Sequence, residues 1–177
     1  TIPYYFVARA YNTSGQESGN SDEITYVPFE LVKNAAEEII GAWSDGIFYW
    51  SEAELRRTKM TSHTTGKDIA AGDFTGDGTA DVASCRDSGL WYQDGATLEW
   101  TQIYHTAPDR IAAGDITGDG QDEIIGTWRN GIWYWNVAES KWTRMTSYTT
   151  NKDIAAGDVT GDGKADVVSC WSSGLWY

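Results

Sequence analysis

The sequence is poor in the residues that several protein classes need. It has only two cysteines in 177 residues, too few for a disulfide-stapled scaffold. No signal peptide is visible, and no apolar run approaches the ~18 residues of a membrane-spanning helix, so membrane insertion is not expected. Thirteen basic residues face 26 acidic ones, and the formal net charge of −13 argues against nucleic acid or anionic lipid as partners. Such a surface suits cations.

Histidine is equally scarce. His63 and His105 are the only two, and neither has a serine or cysteine partner in a recognisable catalytic setting. Paired acidic residues act as catalysts in glycosidases, but here they recur as loops, whereas a catalytic pair would normally occur once. We therefore expect that the chain is not an enzyme.

Aromatic residues and glycine are abundant instead. The chain has ten Trp, ten Tyr and 19 Gly, and its apolar residues fall in short alternating runs without a helical period. An internal repeat is the strongest signal. The phrase Ala-Gly-Asp-x-Thr-Gly-Asp-Gly places its first aspartate at Asp73, Asp115 and Asp158. The phrase Gly-(Ile/Leu)-(Phe/Trp)-Tyr begins at Gly46, Gly89, Gly131 and Gly174. Residues 51–92 and 136–177 are identical at 29 of 42 positions, so two subtypes of repeat alternate.

Each repeat divides into four short strands separated by turn signals. In the second repeat we predict strands over residues 68–73, 81–86, 89–93 and 98–105. Four strands in about 40–45 residues are typical of one β-propeller blade. We predict an all-β fold of four-stranded blade repeats forming part of a propeller. A β-solenoid-like repeat array is the alternative, although solenoid coils are usually about 20–30 residues long.

Three of the repeats carry an acidic loop with oxygen-bearing side chains at positions 1, 3, 5 and 9 and glycine at position 6. Calcium takes about six to eight oxygen ligands, and the backbone carbonyl at position 7 can supply one. The candidate ligands are Asp73, Thr75, Asp77, Thr79 and Asp81; Asp115, Thr117, Asp119, Gln121 and Glu123; and Asp158, Thr160, Asp162, Lys164 and Asp166. Of these, Thr79, Gln121 and Lys164 stand at position 7 and would contribute only backbone oxygen.

These loops are not EF-hands, which need a Glu at position 12 and flanking helices. Asp-Gly pairs also occur in ordinary hairpin turns. However, three loops of clustered carboxylates would repel themselves without a cation, so we predict about three bound calcium ions. The first repeat has Glu30, Val32, Lys33, Asn34 and Glu38 at the equivalent places, and we expect no calcium there.

The motif Asp-x-Thr-Gly-Asp-Gly-x-x-Asp, preceded by Ala-Gly and followed by an apolar strand, resembles the FG-GAP (integrin-α-like, VCBS-type) repeat over about residues 30–177. The resemblance implies a calcium-binding β-propeller of a secreted or cell-surface protein, with the loop residues at positions 1, 3, 5 and 9 as metal ligands. The family often has Asn or Asp where this chain has Thr75, Thr117 and Thr160.

Residues 1–29 follow another pattern. Residues 4–12 alternate with period two. A polar Ser-Gly loop follows, and residues 22–26 form a second strand-like run. This segment resembles the last two strands of a fibronectin type III domain, with Tyr4 at the place of the tyrosine corner. We predict domains at 1–29 and 30–177. We also expect the chain to be part of a longer polypeptide, or to be completed by neighbouring chains at open strand edges.

The tryptophans suggest two roles. We expect Trp91, Trp133 and Trp176 to pack blade against blade, and we consider Trp135, Trp142 and Trp171 as exposed platforms for glycans. Together the features predict an extracellular calcium-binding module for adhesion, assembly or filament formation, or alternatively a lectin-like propeller. The expected partners are calcium, further copies of the chain, or a cell-surface protein or glycan.

Overall fold

The computed structural model of the chain describes residues 4–6, 24–26, 39–51, 55–62, 68–149, 153–171 and 174–176. The chain divides into two units, Thr1–Ala36 and Glu37–Tyr177. In the first unit β1 (Tyr4–Phe6) pairs antiparallel with β2 (Ile24–Tyr26). The rest of the predicted fibronectin-like segment, the side chain of Tyr4, the boundary at residue 29 and the first acidic-loop equivalent lie outside the described residues.

The described residues of the second unit form four antiparallel sheets, which we call blades 1 to 4. Blade 1 consists of β3 (Ile39–Trp43), β4 (Gly46–Ser51) and β5 (Arg56–Thr61). Blade 2 consists of β6 (Ile69–Gly72), β7 (Asp81–Arg86), β8 (Gly89–Gln93) and β9 (Trp100–Tyr104). Blade 3 consists of β10 (Arg110–Gly114), β11 (Glu123–Trp128), β12 (Gly131–Asn136) and β13 (Lys141–Thr146). Blade 4 consists of β14 (Asp153–Gly157), β15 (Asp166–Trp171) and β16 (Gly174–Trp176).

The prediction of an all-β chain built from blade repeats is confirmed. Each described sheet is an antiparallel meander in chain order, which rules out the parallel β-solenoid. The first strands β6, β10 and β14 lie next to one another in series, as the inner strands of propeller blades do. The part of the chain that the structure describes contains no helix that could cross a membrane.

Neighbouring blades bury their apolar side chains against each other. Successive residues of a strand point to opposite faces, so Ile124 and Ile125 of β11 serve different junctions. Ile124 packs with Phe74 and Leu90 between blades 2 and 3, whereas Ile125 packs with Ile154 between blades 3 and 4. The strand is therefore buried on both faces, which explains why its two isoleucines are adjacent and do not alternate with polar residues.

A β-bulge explains the glycine that begins the third strand of a blade. Gly89 has φ +126°, and a Cβ at this position would lie 2.1 Å from the carbonyl oxygen of Tyr104. The pairing of β8 with β9 shifts register directly afterwards, between Leu90 and Trp91. Gly131 repeats the arrangement against Thr146 in blade 3. Only glycine fits there, which accounts for the recurrent Gly-(Ile/Leu)-(Phe/Trp)-Tyr phrase.

Candidate metal loops and the aromatic cavity

The three acidic loops connect the first to the second strand of blades 2, 3 and 4, and backbone N–H groups hold the first carboxylate of each. Asp73 Oδ1 accepts the N–H groups of Gly76 (2.7 Å) and Asp77 (3.1 Å), and its Oδ2 accepts that of Gly78 (2.8 Å). Asp115 and Asp158 each accept the equivalent three bonds at 2.6–3.1 Å. The repeated motif therefore folds three times into the same local structure.

Glycine and the position 5 aspartate shape the rest of each loop. Gly76 and Gly78 have φ values of +75° and +83°, a left-handed conformation that turns their N–H groups toward the Asp73 carboxylate. Asp77 Oδ1 accepts the N–H of Thr79 at 2.7 Å, an Asx turn that also occurs at the other two loops. The glycine spacing is thus a requirement of the backbone, independent of any ligand.

The carboxylate at position 9 is the most buried predicted ligand of the blade 2 loop. Asp81 is fully buried; its Oδ2 accepts the N–H groups of Phe74 (2.8 Å) and Thr75 (3.0 Å), and its Oδ1 that of Gly95 (2.8 Å). Burial raises the pKa of Asp81; the backbone bonds oppose this shift, and the nearby Asp94 carboxylate adds to it. A carboxylate so placed gains from any cation brought close to it.

Glu123 takes this position in blade 3 with a different set of partners. Its Oε2 accepts the N–H groups of Ile116 (2.9 Å) and Thr117 (3.2 Å), and its Oε1 accepts Asn136 Nδ2 at 2.7 Å. Burial also raises the pKa of Glu123. Asn136 was not identified from the sequence, because it belongs to β12 and reaches the loop only across the sheet.

The blade 4 loop is the most open of the three. Asp166 Oδ2 accepts the N–H groups of Val159 and Thr160, both at 3.0 Å, but its side chain is only half-buried. Val159 is 58% exposed, whereas the equivalent Phe74 of blade 2 is 0% exposed. The same set of predicted ligands therefore occurs in a more solvent-exposed setting in blade 4.

The predicted ligands lie together in each loop, but the carboxylates do not gather round one point. Among the described residues no three His, Cys, Asp or Glu side chains form a ready-made metal centre. The donor chemistry nevertheless suits calcium, which prefers oxygen ligands. Asp73 uses three of the about four lone-pair positions of a carboxylate and so retains capacity. Thr75 Oγ1 is buried with no hydrogen-bond partner, which makes it a further available oxygen.

The loops of successive blades also contact each other. Asp122, at position 8 of the blade 3 loop, donates its N–H to the carbonyl of Asp73 (2.9 Å), and its Oδ2 accepts the N–H of Asp73 (3.0 Å). Ala165 donates to the carbonyl of Asp115 in the same way (2.7 Å). Burial raises the pKa of Asp122, and the nearby carboxylates of Asp115 and Asp73 raise it further. The acidic loops are thus part of the junction between blades.

Aromatic side chains form a second feature between blades 2 and 3. Trp128 and Trp142 meet edge to face at 5.1 Å between ring centroids, and Tyr104 contacts them at 5.6 and 5.7 Å. Together with Asn130 and Trp133 they line a cavity of about 220 Å³. The indole nitrogens of Trp128 and Trp142 are buried and have no acceptor.

The predicted roles of the tryptophans are correct only in part. Trp135 and Trp142 are half-buried and pack against the core, so the prediction that they are exposed platforms is wrong. Trp133 lines the cavity between blades 2 and 3, whereas Trp176, which was also expected to pack blade against blade, is 60% exposed beside an open groove of about 790 Å³. The side chain of Trp171 lies outside the described residues.

Residues 115–169 match the FG-GAP-like repeat family. This FG-GAP-like segment runs from the first aspartate of the blade 3 loop through most of β15. The match covers one of the three acidic-loop repeats completely and the loop of the next. A search of curated proteins found no match.

Two solved structures resemble the chain at low identity. One is a lectin of Agrocybe aegerita that recognises non-reducing terminal N-acetylglucosamine: 13% identity, TM-score 0.37, covering 78% of this chain and 58% of the lectin. The other is the V. cholerae biofilm matrix protein Bap1: 19% identity, TM-score 0.47, covering 93% of this chain and 27% of Bap1. The chain thus spans little more than half of one and about a quarter of the other, and neither superposition is close enough to carry an argument.

Proposed function

We propose that the chain is an extracellular calcium-binding repeat module with a structural role in adhesion or assembly, and that it is not an enzyme. The observation that carries the proposal is the acidic loop built three times with the same hydrogen bonds to its first carboxylate. Calcium sites combine several carboxylate oxygens within one loop, and positions 1, 5 and 9 supply three carboxylates.

Electrostatics support the same proposal. Asp81 and Glu123 are fully buried, and burying a carboxylate costs free energy that hydrogen bonds offset only in part. A calcium ion would supply the missing positive charge, held by the side chains at positions 1, 3, 5 and 9 and the carbonyl at position 7. Three such ions would add six positive charges and bring the formal charge from −13 to −7.

Calcium bound in the loops would make the scaffold more rigid. The backbone of Asp73 bonds to Asp122 in the next blade, and that of Asp115 bonds to Ala165. A cation that fixes the shape of a loop therefore also fixes the junction that follows it. Binding to the folded state alone raises stability, by about 2.7 kcal/mol per site at a free concentration of 100 times Kd.

Calorimetric titration and thermal unfolding test the metal site. We expect calcium to bind with about three equivalents and to raise Tm strongly, with magnesium much less effective because it demands a smaller octahedral site. The triple variant Asp73→Asn, Asp115→Asn and Asp158→Asn keeps the side-chain size and should lose the calcium response. A chain that gives neither heat nor a Tm shift at millimolar calcium would refute the proposal.

The structural role has its own test. If calcium stiffens a scaffold for assembly, light scattering and electron micrographs should reveal larger species with calcium than with chelator. The same triple variant supplies the control. Chains that bind calcium but stay monomeric at all concentrations would retain the metal site and contradict the assembly role.

Glycan binding is the second candidate, favoured by the cavity between blades 2 and 3. Its walls offer aromatic faces on which a sugar can stack, Asn130, and the nearby unpartnered indole N–H groups of Trp128 and Trp142. At about 220 Å³ it lies below the usual range of ligand sites and suits a single sugar residue.

A glycan array tests this candidate. Asn130→Ala should abolish specific hits, whereas Ser88→Ala, at the same turn position in blade 2, should leave them unchanged. The cavity contains none of the acidic loop residues, so the hits should survive chelation of calcium. An array without specific hits would remove this candidate and leave the structural one.

A further inference from the structure

We infer that each acidic loop has its calcium affinity set by two residues of the following blade, so that the blade 2 loop binds calcium more tightly than the blade 3 loop. The residues are those at positions 7 and 8 of the next loop: Gln121 and Asp122 for blade 2, and Lys164 and Ala165 for blade 3. The inference rests on the proposed calcium site and concerns residues that are not side-chain ligands of the loop they influence.

Gln121 and Asp122 present a neutral and an acidic group to the blade 2 loop. The Gln121 side chain lies directly on Gly76: a Cβ on that glycine would lie 2.2 Å from Gln121 Nε2. The Asp122 carboxylate accepts the N–H of Asp73 at 3.0 Å, next to the first ligand of the loop. The neighbouring blade thus brings formal negative charge to this site.

Lys164 and Ala165 present a cationic and an uncharged group to the blade 3 loop. A Cβ on Gly118 would lie 2.7 Å from Lys164 Cε and 3.1 Å from its Cγ, so the lysine stem lies flat on the loop. The ammonium group is one bond beyond Cε and therefore lies beside the loop of Asp115. Ala165 places only a methyl group where Asp122 stands in the other junction.

The two loops therefore have similar ligands but different electrostatic surroundings. Positions 1, 3 and 5 are identical, and position 9 carries a carboxylate in both, but the covering pair differs by two formal charges. A unit charge within about 6–10 Å of a divalent ion at a water-exposed site changes its affinity by about three- to tenfold at low ionic strength. Salt near 0.15 M, where the Debye length is about 8 Å, reduces the effect to about twofold.

Site-resolved NMR on the full chain tests this order without disabling any loop. The position 6 glycines Gly78, Gly120 and Gly163 each donate to the first carboxylate of their own loop, so their amide signals report the three loops separately. In a titration with buffered free calcium, the Gly78 signal should reach its midpoint at a lower concentration than the Gly120 signal. The difference between the two calcium midpoints should become smaller as salt is added.

Two reciprocal substitutions identify the residues responsible. Lys164→Met keeps the length of the stem on Gly118 and removes the charge, so it should lower the Gly120 midpoint about three- to tenfold at low salt. Gln121→Lys should raise the Gly78 midpoint by a similar factor. Lys164→Arg keeps the charge and serves as the matched control, with an unchanged midpoint.

The failures of the two proposals are distinguishable. If calcium shifts all three glycine signals but Lys164→Met leaves the Gly120 midpoint unchanged, the affinity order is overturned and the calcium site stands. An effect of Lys164→Met that does not shrink with salt would also overturn the electrostatic inference. If none of the three signals responds to millimolar calcium, the proposed function and this inference fail together.

Discussion

The acidic loops recur residue by residue from blade to blade, whereas the aromatic edge of the blades does not. The aromatic edge consists of the stacked pairs Trp43–Arg57, Arg86–Trp100 and Trp128–Trp142 in blades 1 to 3. The loops repeat residue by residue, and hydrogen bonds to the first carboxylate recur at 2.6–3.1 Å in three blades. The strand that precedes the recurrent glycine ends with Trp43, Arg86 and Trp128 in blades 1 to 3, and each of these residues pairs with the glycine that begins the next strand. One region keeps its residues and the other changes them.

At the aromatic edge, a stacked pair of flat groups recurs from blade to blade, although the residues that form it change. Arg57 of blade 1 lies 5.1 Å from the ring of Trp43, and Arg86 of blade 2 lies 3.8 Å from that of Trp100. The cation and the ring have exchanged strands between these blades. Blade 3 places Trp142 against Trp128.

The difference follows from the interactions involved. Left-handed backbone and N–H bonds to a carboxylate admit few residues, so the loop is fixed at each position. Stacking requires only two flat partners, one of which can be a guanidinium, so the edge is fixed as a pair.

The largest effect should come from the buried end of a loop. Asp81→Ala leaves three backbone N–H groups without their acceptor in a fully buried place. We expect a loss of about 2–4 kcal/mol in the free energy of unfolding, measured with urea in the absence of calcium. The matched change Asp166→Ala removes two bonds at a half-buried place and should cost about 1–2 kcal/mol. Equal losses would mean that burial does not distinguish the loops.

A similar loss should follow at the aromatic edge. Trp142→Ala removes a ring that packs against the core and against Tyr104 and Trp128, and it should cost about 3 kcal/mol. Trp176→Ala serves as the control, because that side chain is 60% exposed and should cost no more than about 0.5 kcal/mol. If the two variants unfold at the same urea concentration, Trp142 is an exposed platform after all.

The sequence was sufficient for features that depend on neighbouring residues along the chain. The strands of blade 2 begin and end within two residues of their predicted positions because alternation and Asp-Gly turns are local signals. The residues of each predicted metal loop also lie near one another, since nine consecutive residues supply them, although their carboxylates do not gather round one point.

Contacts between residues on different strands or on different blades were not predictable in this way. Trp142 looked exposed because it varies between repeats, yet Tyr104 of the preceding blade covers it. Asn136 supports Glu123 from a different strand, and Lys164 reaches Gly118 of the preceding loop. Each is a pairing of residues that are distant in sequence, and a single sequence carries no record of such pairs.

The smallest effect should come from exchanging one stacking partner for another. Arg86→Trp gives blade 2 the same Trp–Trp pair that blade 3 has. Arg86 has two buried nitrogens, Nε and Nη2, without acceptors, and burial lowers its pKa. A tryptophan avoids that desolvation cost and keeps the contact with Trp100. We expect stability to stay equal or to rise by up to about 1 kcal/mol.

Arg86→Ala tests whether the stacking contact itself stabilises the blade, because it removes one partner without supplying another. It relieves the same unpaired nitrogens but removes the guanidinium that lies over the ring of Trp100, so it should cost about 1–2 kcal/mol. The expected order of urea midpoints is therefore Arg86→Trp at or above the parent chain, and Arg86→Ala below it. If the urea midpoint of Arg86→Trp falls below that of Arg86→Ala, this position requires arginine specifically. The aromatic edge would then be fixed residue by residue, as the loops are.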